Sequence, residues 1–160
     1  MNKIVNYKDL TTLIKKIKLQ NLPLVLVGGC FDILHLGHVS FLKEAKKHGA
    51  LLVALESDDN LKKYKGLSRP IHNQSQRAEV LAELSSVDYI ILLPEFKTDG
   101  DYEKLTKQIK PETIAVTAGD PLLKNKQQQA KSVSGKIVLI PKIQTPSSSQ
   151  LIKLLKIETI

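Results

Sequence analysis

The chain has 160 residues, about the size of one domain, and carries 24 Lys+Arg against 16 Asp+Glu, a formal net charge of +8. Its one cysteine, Cys30, excludes an internal disulfide and hence a disulfide-stapled secreted scaffold, and a hydrophobic content of 42% argues against global disorder. The longest apolar stretches, such as Leu51–Leu55 and Tyr89–Leu93, fall far short of the roughly 20 residues of a membrane-spanning helix.

The first 22 residues predict an amphipathic helix that ends before Pro23. Four apolar residues recur at three- and four-residue spacing: Leu10, Leu13, Ile14 and Ile17. The segment lacks the continuous apolar block of a signal peptide, so we expect a cytoplasmic protein with no membrane partner. Its five lysines and one aspartate supply +4 of the net charge. We interpret residues 1–22 as a helical extension and residues 23–160 as the functional domain.

From Leu24 onward, short apolar runs alternate with helix-like patterns. The predicted strands are Leu24–Val27, Leu51–Leu55, Tyr89–Leu93, Thr113–Val116 and Ile137–Ile140. Helices are predicted between them, one of them opening at the capping pattern Asn73-x-x-Gln76, and a last helix at Ser148–Ile157. This alternation predicts an α/β fold with a single doubly wound, parallel, five-stranded sheet and helices on both faces. In such folds ligands bind outside the carboxyl ends of the strands.

The loop after the first strand, from Gly28 to His38, carries the strongest chemical signal. Gly28 and Gly29 let the backbone approach an anion closely, and Gly37 leaves room for a ligand near a helix start, where partial positive charge favours phosphate. His35 and His38 are three residues apart, so they share one helix face and can both donate hydrogen bonds to phosphoryl oxygens. A metal-binding pair is the alternative, but no third ligand is evident nearby, and we predict no metal site.

A basic segment follows the second strand. It contains Lys62, Lys63, Lys65, Arg69 and Arg77, including the only two arginines of the chain. Because a guanidinium group can donate two parallel hydrogen bonds to a phosphate, this placement favours phosphate contacts, with Lys65 and Arg77 as the main candidates. The alternatives are a solvated surface for the lysines and an ion pair with a helix carboxylate for Arg77.

Polar residues at other predicted loops have two interpretations each. Ser147–Ser149 can cap the last helix or bind phosphate. Gly119-Asp120 follows the fourth strand and is either a turn or a ligand contact at the sheet edge. Asp58 either binds an acceptor or stabilises a loop, and Asp32 either orients the histidine loop or holds a turn. Cys30 is most simply a small buried residue.

These segments resemble the cytidylyltransferase-like nucleotidyltransferase superfamily. The string Gly29-x-Phe31-Asp32-x-Leu34-His35-x-Gly37-His38 is similar to its signature. Three further segments follow in the family's order: Lys62 to Pro70 as its basic loop, Gln76 to Asp88 as its central helix and third strand, and Ser147 to Ile152 as its serine/threonine phosphate motif. The resemblance covers about residues 24–152. It is greatest to heptose-1-phosphate adenylyltransferase domains, with glycerol-3-phosphate cytidylyltransferase and archaeal FAD synthetase close behind.

The resemblance implies an enzyme that transfers a nucleoside monophosphate from ATP or CTP to a phosphorylated small molecule, such as a sugar phosphate, with release of pyrophosphate. It assigns catalytic roles to His35, His38 and Lys65. The implied nucleotide-binding residues are Gly29, Cys30, Phe31, Gly37, Arg77, Gly119, Asp120, Ser147, Ser148 and Ser149. The implied acceptor-binding residues are Asp32, Asp58, Lys62 and Arg69. The residues before Asp120 depart from the basic, glycine-containing pattern of the heptose enzymes, which leaves the choice of base open.

The resemblance also implies a Mg²⁺ ion held mainly by triphosphate oxygens. Related enzymes are often dimers or larger, so a homodimer is one expectation, and a separate chain is expected to phosphorylate the acceptor. Pantetheine-phosphate and nicotinate-mononucleotide adenylyltransferases usually have proline where this chain has Ile33, which disfavours that branch. The +8 charge raises nucleic-acid binding, but the seven aromatics are scattered, so we expect no nucleic-acid partner. A non-catalytic nucleotide-binding module is the remaining alternative, and the intact His35 and His38 argue against it.

Overall fold

The computed structural model describes residues 3–155 and shows a parallel sheet of six strands flanked by helices. The strands are β1 (Ile4–Asn6), β2 (Leu24–Gly29), β3 (Ala50–Leu55), β4 (Tyr89–Leu92), β5 (Thr113–Thr117) and β6 (Lys136–Ile140). The helices are α1 (Leu10–Lys18), α2 (Leu36–Lys46), α3 (Asp58–Lys65), α4 (Gln74–Ala82), α5 (Asp99–Ile109), α6 (Leu123–Ser132) and α7 (Ser148–Leu154). Within residues 3–155, no helix is both long enough and apolar enough to cross a membrane.

The strand order is β1-β4-β3-β2-β5-β6, and each neighbouring pair is parallel. From β2 the chain moves outward through β3 to β4, and it then returns to the other side of β2 to form β5 and β6. The direction therefore switches between β2 and β5, and their carboxyl ends flank a crevice. The predicted parallel α/β sheet is confirmed, with six strands rather than five.

The sixth strand, β1, comes from the N-terminal segment that we expected to be only helical. Ile4 of β1 pairs with Ile90 of β4, so β1 forms one edge of the sheet. The predicted apolar face of α1 is buried in the same core cluster as Leu105 and Ile109 of α5. A strand of three residues is too short to produce a recognisable alternation, which is why the sequence did not reveal it. The domain boundary at residue 22 stays a prediction.

The basic segment after β3 contains a helix, α3, where the resemblance implied a loop. The Ser57 hydroxyl caps this helix by accepting a hydrogen bond from the Asn60 N–H at 3.2 Å. The helix ends at Gly66, whose φ is +97°. Only Asn60 and Leu61 are buried in α3, so the sequence has no apolar periodicity there to indicate a helix.

Gly49 lies between α2 and β3, where the backbone leaves no space for a side chain. Its φ is +150°, and a Cβ at this position would lie 2.0 Å from the carbonyl oxygen of Pro23. Because Gly49→Ala must shift the backbone, we expect it to lower the free energy of unfolding by about 2–3 kcal/mol, measured by urea denaturation. Gly100→Ala is the control, since the nearest neighbour of its Cβ is 3.5 Å away and alanine favours the helix. Equal losses in the two variants would contradict this packing.

Candidate active site

A pocket of about 340 Å³ lies at the carboxyl ends of β2, β5 and β6, in the crevice that the strand order creates. Its volume is that of a small-molecule site. Four parts of the chain line it: residues 28–41, the pair Lys65 and Arg69, the segment from Ala115 to Lys126, and the segment from Pro141 to Ser149.

The β2–α2 loop has a conformation that its glycines make possible. A Cβ on Gly29 would lie 2.8 Å from the Phe31 ring, so a side chain at this position would displace the ring. Phe31 itself has a φ of +46°, is buried, and contacts the His38 ring with centroids 5.1 Å apart. The loop therefore holds His38 from one side by aromatic packing.

The rings of His35 and His38 stack, with centroids 3.9 Å apart and an angle of 28° between their planes. The Gly37 N–H donates to His35 Nδ1 at 3.1 Å, which assigns the proton of the neutral ring to Nε2. A Cβ on Gly37 would lie 2.8 Å from His35 Cε1, so glycine is required for this arrangement. His35 is thus a hydrogen-bond donor at the pocket wall.

Both histidines are biased toward the neutral form. Burial, together with the neighbouring His35, lowers the pKa of His38 from 6.5 to about 4, and burial lowers the pKa of His35. Within the described chain, Nδ1 of His38 is buried and has no hydrogen-bond partner.

Asp32 and Arg69 form a buried ion pair beside the histidines. Arg69 Nε donates to Asp32 Oδ2 at 2.6 Å, and the side chains are 6% and 1% exposed. Asp32 also accepts the N–H groups of Ile71 and His72. Both residues line the pocket, and Arg69 Nη1 reaches Ser149 Oγ at 3.4 Å. Asp32 therefore fixes the segment that follows α3, and Arg69 connects it to α7.

The three serines before and within α7 line the pocket and also hold that helix in place. Ser147 caps α7 in a capping box with Gln150. The Ser148 hydroxyl donates to the Ile33 carbonyl at 2.8 Å, which joins α7 to the histidine loop. Ser149 meets Arg69, as described above. The predicted alternatives of capping and ligand contact are therefore compatible in one segment.

Lys65, at the end of α3, brings a positive charge to the pocket. It forms no ion pair with any residue from 3 to 155, so its charge is available to an anion. Cys30 lines the pocket and is half-buried, and burial raises its thiol pKa. Its thiol is therefore the uncharged, weakly nucleophilic form at neutral pH.

Four of the predicted site residues do not line the pocket: Arg77, Asp58, Lys62 and Gly119. Arg77 is buried, and its guanidinium donates to the carbonyls of Cys30 (2.6 Å), Glu56 (2.8 Å) and His72 (3.0 Å) and to Asp58 Oδ1 (2.7 Å). Arg77 therefore supports the site without lining the pocket, and the predicted alternative of an ion pair with a helix carboxylate is observed, with Asp58 as the partner. Lys62 lies on the exposed side of α3, 3.4 Å from Asp59.

Several lining residues were missed by the sequence reasoning. Lys126 of α6 reaches Asp120 at 2.7 Å, and Lys142 and Ile143 follow β6. The position of Lys142 at the carboxyl end of β6 was available from the strand prediction. The position of Lys126 was not, because it depends on how α6 packs.

The residues from 3 to 155 include no group of three or more His, Cys, Asp or Glu side chains that could hold a metal ion. The two carboxylates that line the pocket, Asp32 and Asp120, are both engaged with cations of the protein. Neither of the two carboxylates that line the pocket is therefore free to hold a Mg²⁺ ion.

Comparison with known proteins identifies the family. A family model described as cytidylyltransferase-like matches residues 26–156. The chain belongs to the cytidylyltransferase-like family. The resemblance stated from the sequence is confirmed, and with it the nucleotidyltransferase class of enzyme.

Relatives of this cytidylyltransferase-like chain are longer proteins. It is 41% identical over 139 residues to the bifunctional protein HldE of Aliarcobacter butzleri, covering 85% of this chain and 28% of the relative. It is 40% identical over 153 residues to that of Helicobacter hepaticus, covering 95% of this chain and 30% of the relative. The chain thus spans less than a third of the length of these curated relatives.

Solved structures agree on the fold. A lipopolysaccharide core biosynthesis protein from Thermoplasma volcanium superposes with a TM-score of 0.62 at 28% identity, covering 78% of this chain and 98% of that chain. A pantoate-beta-alanine ligase from Francisella tularensis superposes with a TM-score of 0.68 at 18% identity, covering 100% of this chain and 79% of that one. The second likeness supports the fold alone.

Replacement of Arg77 by lysine tests its role as a brace. Lysine keeps the charge but cannot span four acceptors with a planar fork, so we expect Arg77→Lys to lower the free energy of unfolding by about 3 kcal/mol or more. Urea denaturation measures the loss. Lys62→Arg, on the exposed side of α3, is the control and should change stability by less than about 0.5 kcal/mol. A fully stable Arg77→Lys variant would contradict the brace.

The lowered pKa of His38 predicts how stability depends on pH. Between pH 6.5 and about 4 the unfolded chain binds more protons at this residue than the folded chain, so the free energy of unfolding falls as the pH is lowered through this window. The contribution of His38 to that fall is about 3 kcal/mol. It is measured as the difference between wild type and His38→Gln in urea unfolding at several pH values. Parallel curves for the two proteins would show that the pKa of His38 is not lowered.

Proposed function

We propose that this chain transfers a nucleoside monophosphate from ATP, or from CTP, to a phosphorylated small molecule and releases pyrophosphate. The observation that carries the proposal is the stacked pair of His35 and His38 at the pocket wall, in a chain of the cytidylyltransferase-like family. Lys65 and the hydroxyls of Ser147–Ser149 line the same pocket. Together they supply donors and positive charge for a triphosphate.

In the proposed reaction a phosphate oxygen of the acceptor attacks the α-phosphorus of the nucleotide. A bond forms between that oxygen and the α-phosphorus, the bond to the bridging oxygen breaks, and its electrons leave with pyrophosphate. Such a transfer needs positioning and charge neutralisation more than covalent chemistry from the protein. His35 Nε2–H and the His38 ring donate to phosphoryl oxygens as charge develops on them, and Lys65 neutralises the phosphates.

The other lining residues divide between structural and binding tasks. Asp32 and Arg69 keep the segment after α3 beside the histidine loop, and Arg69 is close enough to Ser149 to share a bound phosphate with it. Arg77 and Asp58 support the carboxyl ends of β2 and β3 from behind. We assign acceptor recognition to Arg69 and Lys65 rather than to Asp58 or Lys62, since only the first two line the pocket.

A Mg²⁺ ion would act here by neutralising the triphosphate, and phosphate oxygens would supply most of its ligands. The proposed substrates themselves would therefore bring the ion, in keeping with a pocket whose carboxylates are engaged by Arg69 and Lys126.

A sugar phosphate is the favoured acceptor, and ATP the favoured nucleotide. The support is the resemblance to heptose-1-phosphate adenylyltransferases and the similarity to HldE proteins and to a lipopolysaccharide core biosynthesis protein. That a separate chain phosphorylates the acceptor stays a prediction. A homodimer in the cytoplasm stays a prediction.

A pyrophosphate-release assay tests the proposed function. ATP and CTP are each combined with heptose 1-phosphate, other sugar phosphates, glycerol 3-phosphate and FMN, with Mg²⁺ present. We expect release with ATP and a sugar phosphate, and a loss of about 10²–10³ in rate for His38→Ala because a transition-state donor is removed.

The matched control is His48→Ala, an exposed histidine that follows the far end of the same helix and should leave the rate unchanged. Release that is the same in His38→Ala as in wild type would refute the assigned role of His38. If no combination released pyrophosphate above the His38→Ala background, the transferase proposal itself would fail. Release only with CTP and glycerol 3-phosphate would replace the nucleotide and acceptor proposed here.

A further inference from the structure

Lys65, which brings positive charge to the pocket, is the last residue of a helix that buries few of its side chains. Of the eight residues of α3, only Asn60 and Leu61 are buried. The first turn of the helix is fixed by the ion pair of Asp58 with Arg77, at 2.7 Å. The position of the last turn, and hence of Lys65, therefore depends on what holds the middle of the helix.

The Asn60 side chain connects the middle of α3 to α5. Its Nδ2 donates to Glu56 Oε2 at 3.1 Å and to the Tyr102 hydroxyl oxygen at 3.2 Å. The orientation of this amide follows from its partners, because an ionised carboxylate only accepts hydrogen bonds and the Nδ2 group only donates them. Asn60 is fully buried, and hydrogen bonds made away from water are stronger than exposed ones. The amide is therefore a firm link between the two helices.

Tyr102 is held in place by the core of the protein. It lies in the first turn of α5, and its ring packs edge-on against Phe96 with the centroids 5.0 Å apart. Leu105, one turn later in the same helix, is buried. Burial and the nearby Glu56 carboxylate raise the pKa of Tyr102, so its hydroxyl stays protonated and neutral. The phenol is thus a fixed point of the core, and Asn60 aligns α3 against it.

A small tilt of α3 would displace Lys65 by a distance that matters for catalysis. The helix is about 12 Å long, so a rotation of about 5° around its first turn moves its last residue by about 1 Å. A misplacement of about 1 Å can lower the rate of an enzyme by about a hundredfold. The ion pair of Lys63 with Glu95 also reaches this helix, but both side chains are exposed, so the pair restrains the helix weakly.

We propose that Tyr102 is a positioning residue: through Asn60 it holds α3 in the orientation that places the Lys65 ammonium group in the pocket. The inference rests on the proposed function for what Lys65 does in the transfer, and it rests on the contacts described above for where Lys65 lies. Tyr102 and Asn60 are both outside the pocket lining, so they act through α3 and not on a ligand.

Binding of inorganic tripolyphosphate without Mg²⁺ tests the position of Lys65, because it needs neither a nucleoside nor an acceptor. In isothermal titration calorimetry, Lys65→Met should raise the dissociation constant about tenfold, since a hydrogen bond between charged groups is lost. Tyr102→Phe keeps the ring packed on Phe96 and removes only the hydroxyl. We expect it to raise the constant about threefold, and to have no further effect when combined with Lys65→Met.

Tyr89→Phe is the matched control. It also removes a phenol hydroxyl that accepts a hydrogen bond, in this case from Gln20 Nε2 at 2.8 Å. Tyr89 is the first residue of β4, at the end of the sheet away from the pocket. This variant should bind tripolyphosphate as wild type does. Urea denaturation of both tyrosine variants measures any general loss of stability.

Steady-state kinetics with an active nucleotide and acceptor extend the test to the reaction. Tyr102→Phe should lower kcat about tenfold and change KM for ATP by about threefold or less, since the charge of Lys65 matters most as charge grows in the transition state. In a Lys65→Met background the same change should leave kcat as it is, because no ammonium group remains to be positioned.

The outcomes separate this inference from the proposed function. Unchanged tripolyphosphate binding in Tyr102→Phe, an equal change in Tyr89→Phe, or a further loss in the Lys65→Met background would show that Tyr102 does not position Lys65. Wild-type binding by Lys65→Met would overturn the inference as well, since the ammonium group would not act in the pocket. If binding changes as expected but no nucleotide and acceptor release pyrophosphate, the positioning of Lys65 stands and the transferase proposal fails.

Discussion

The buried guanidinium of Arg77 is the interaction on which the site depends. It joins the ends of β2 and β3, the start of α3 and the segment before α4 through its contacts with Cys30, Glu56, Asp58 and His72. A guanidinium removed from water is stable only when its donors are satisfied, so these four acceptors must stay in place together. Because the sheet alone fixes strands but not the loops that leave them, this brace determines where the histidine loop and α3 stand relative to each other.

Arg69 likewise holds loops together through buried contacts, on the side of the site that faces the pocket. Its buried pair with Asp32 links the histidine loop to the segment after α3, and its contact with Ser149 adds α7. The two arginines of the chain thus hold the loops together, and Arg69 also lines the pocket. Lysines supply most of the remaining positive charge, which fits the chemistry: a planar fork is suited to satisfying several fixed acceptors, and a flexible ammonium is suited to a mobile phosphate.

Local pattern was enough to predict the α/β alternation, since buried parallel strands such as Ala50–Leu55 read as continuous apolar runs. The capping pattern at Asn73 and the serine run before the last helix likewise marked helix starts correctly. The three-residue strand β1 and the polar helix α3 were not predicted, because tertiary contacts stabilise each of them and neither has an apolar periodicity of its own. The candidate site was likewise predicted only in part. The histidine loop could be recognised from its sequence motif. The burial of Arg77 and the approach of Lys126 to Asp120 could not be predicted, because they depend on packing between distant segments.

The bias of the two histidines toward the neutral form affects how they would act in the proposed reaction. Burial is the main cause that lowers the pKa of both rings, and for His38 the neighbouring His35, stacked at 3.9 Å, adds to it. A bound triphosphate would reverse that balance, since its negative charge stabilises an imidazolium and offers an acceptor for each ring. The pair is therefore biased toward the uncharged form in the protein alone, and it would become a stronger donor with a phosphate bound. The histidine pair would then carry positive charge next to the pentacoordinate phosphorus when the nucleotide is bound. Without the nucleotide, the folded chain would not have to hold an unpaired buried charge.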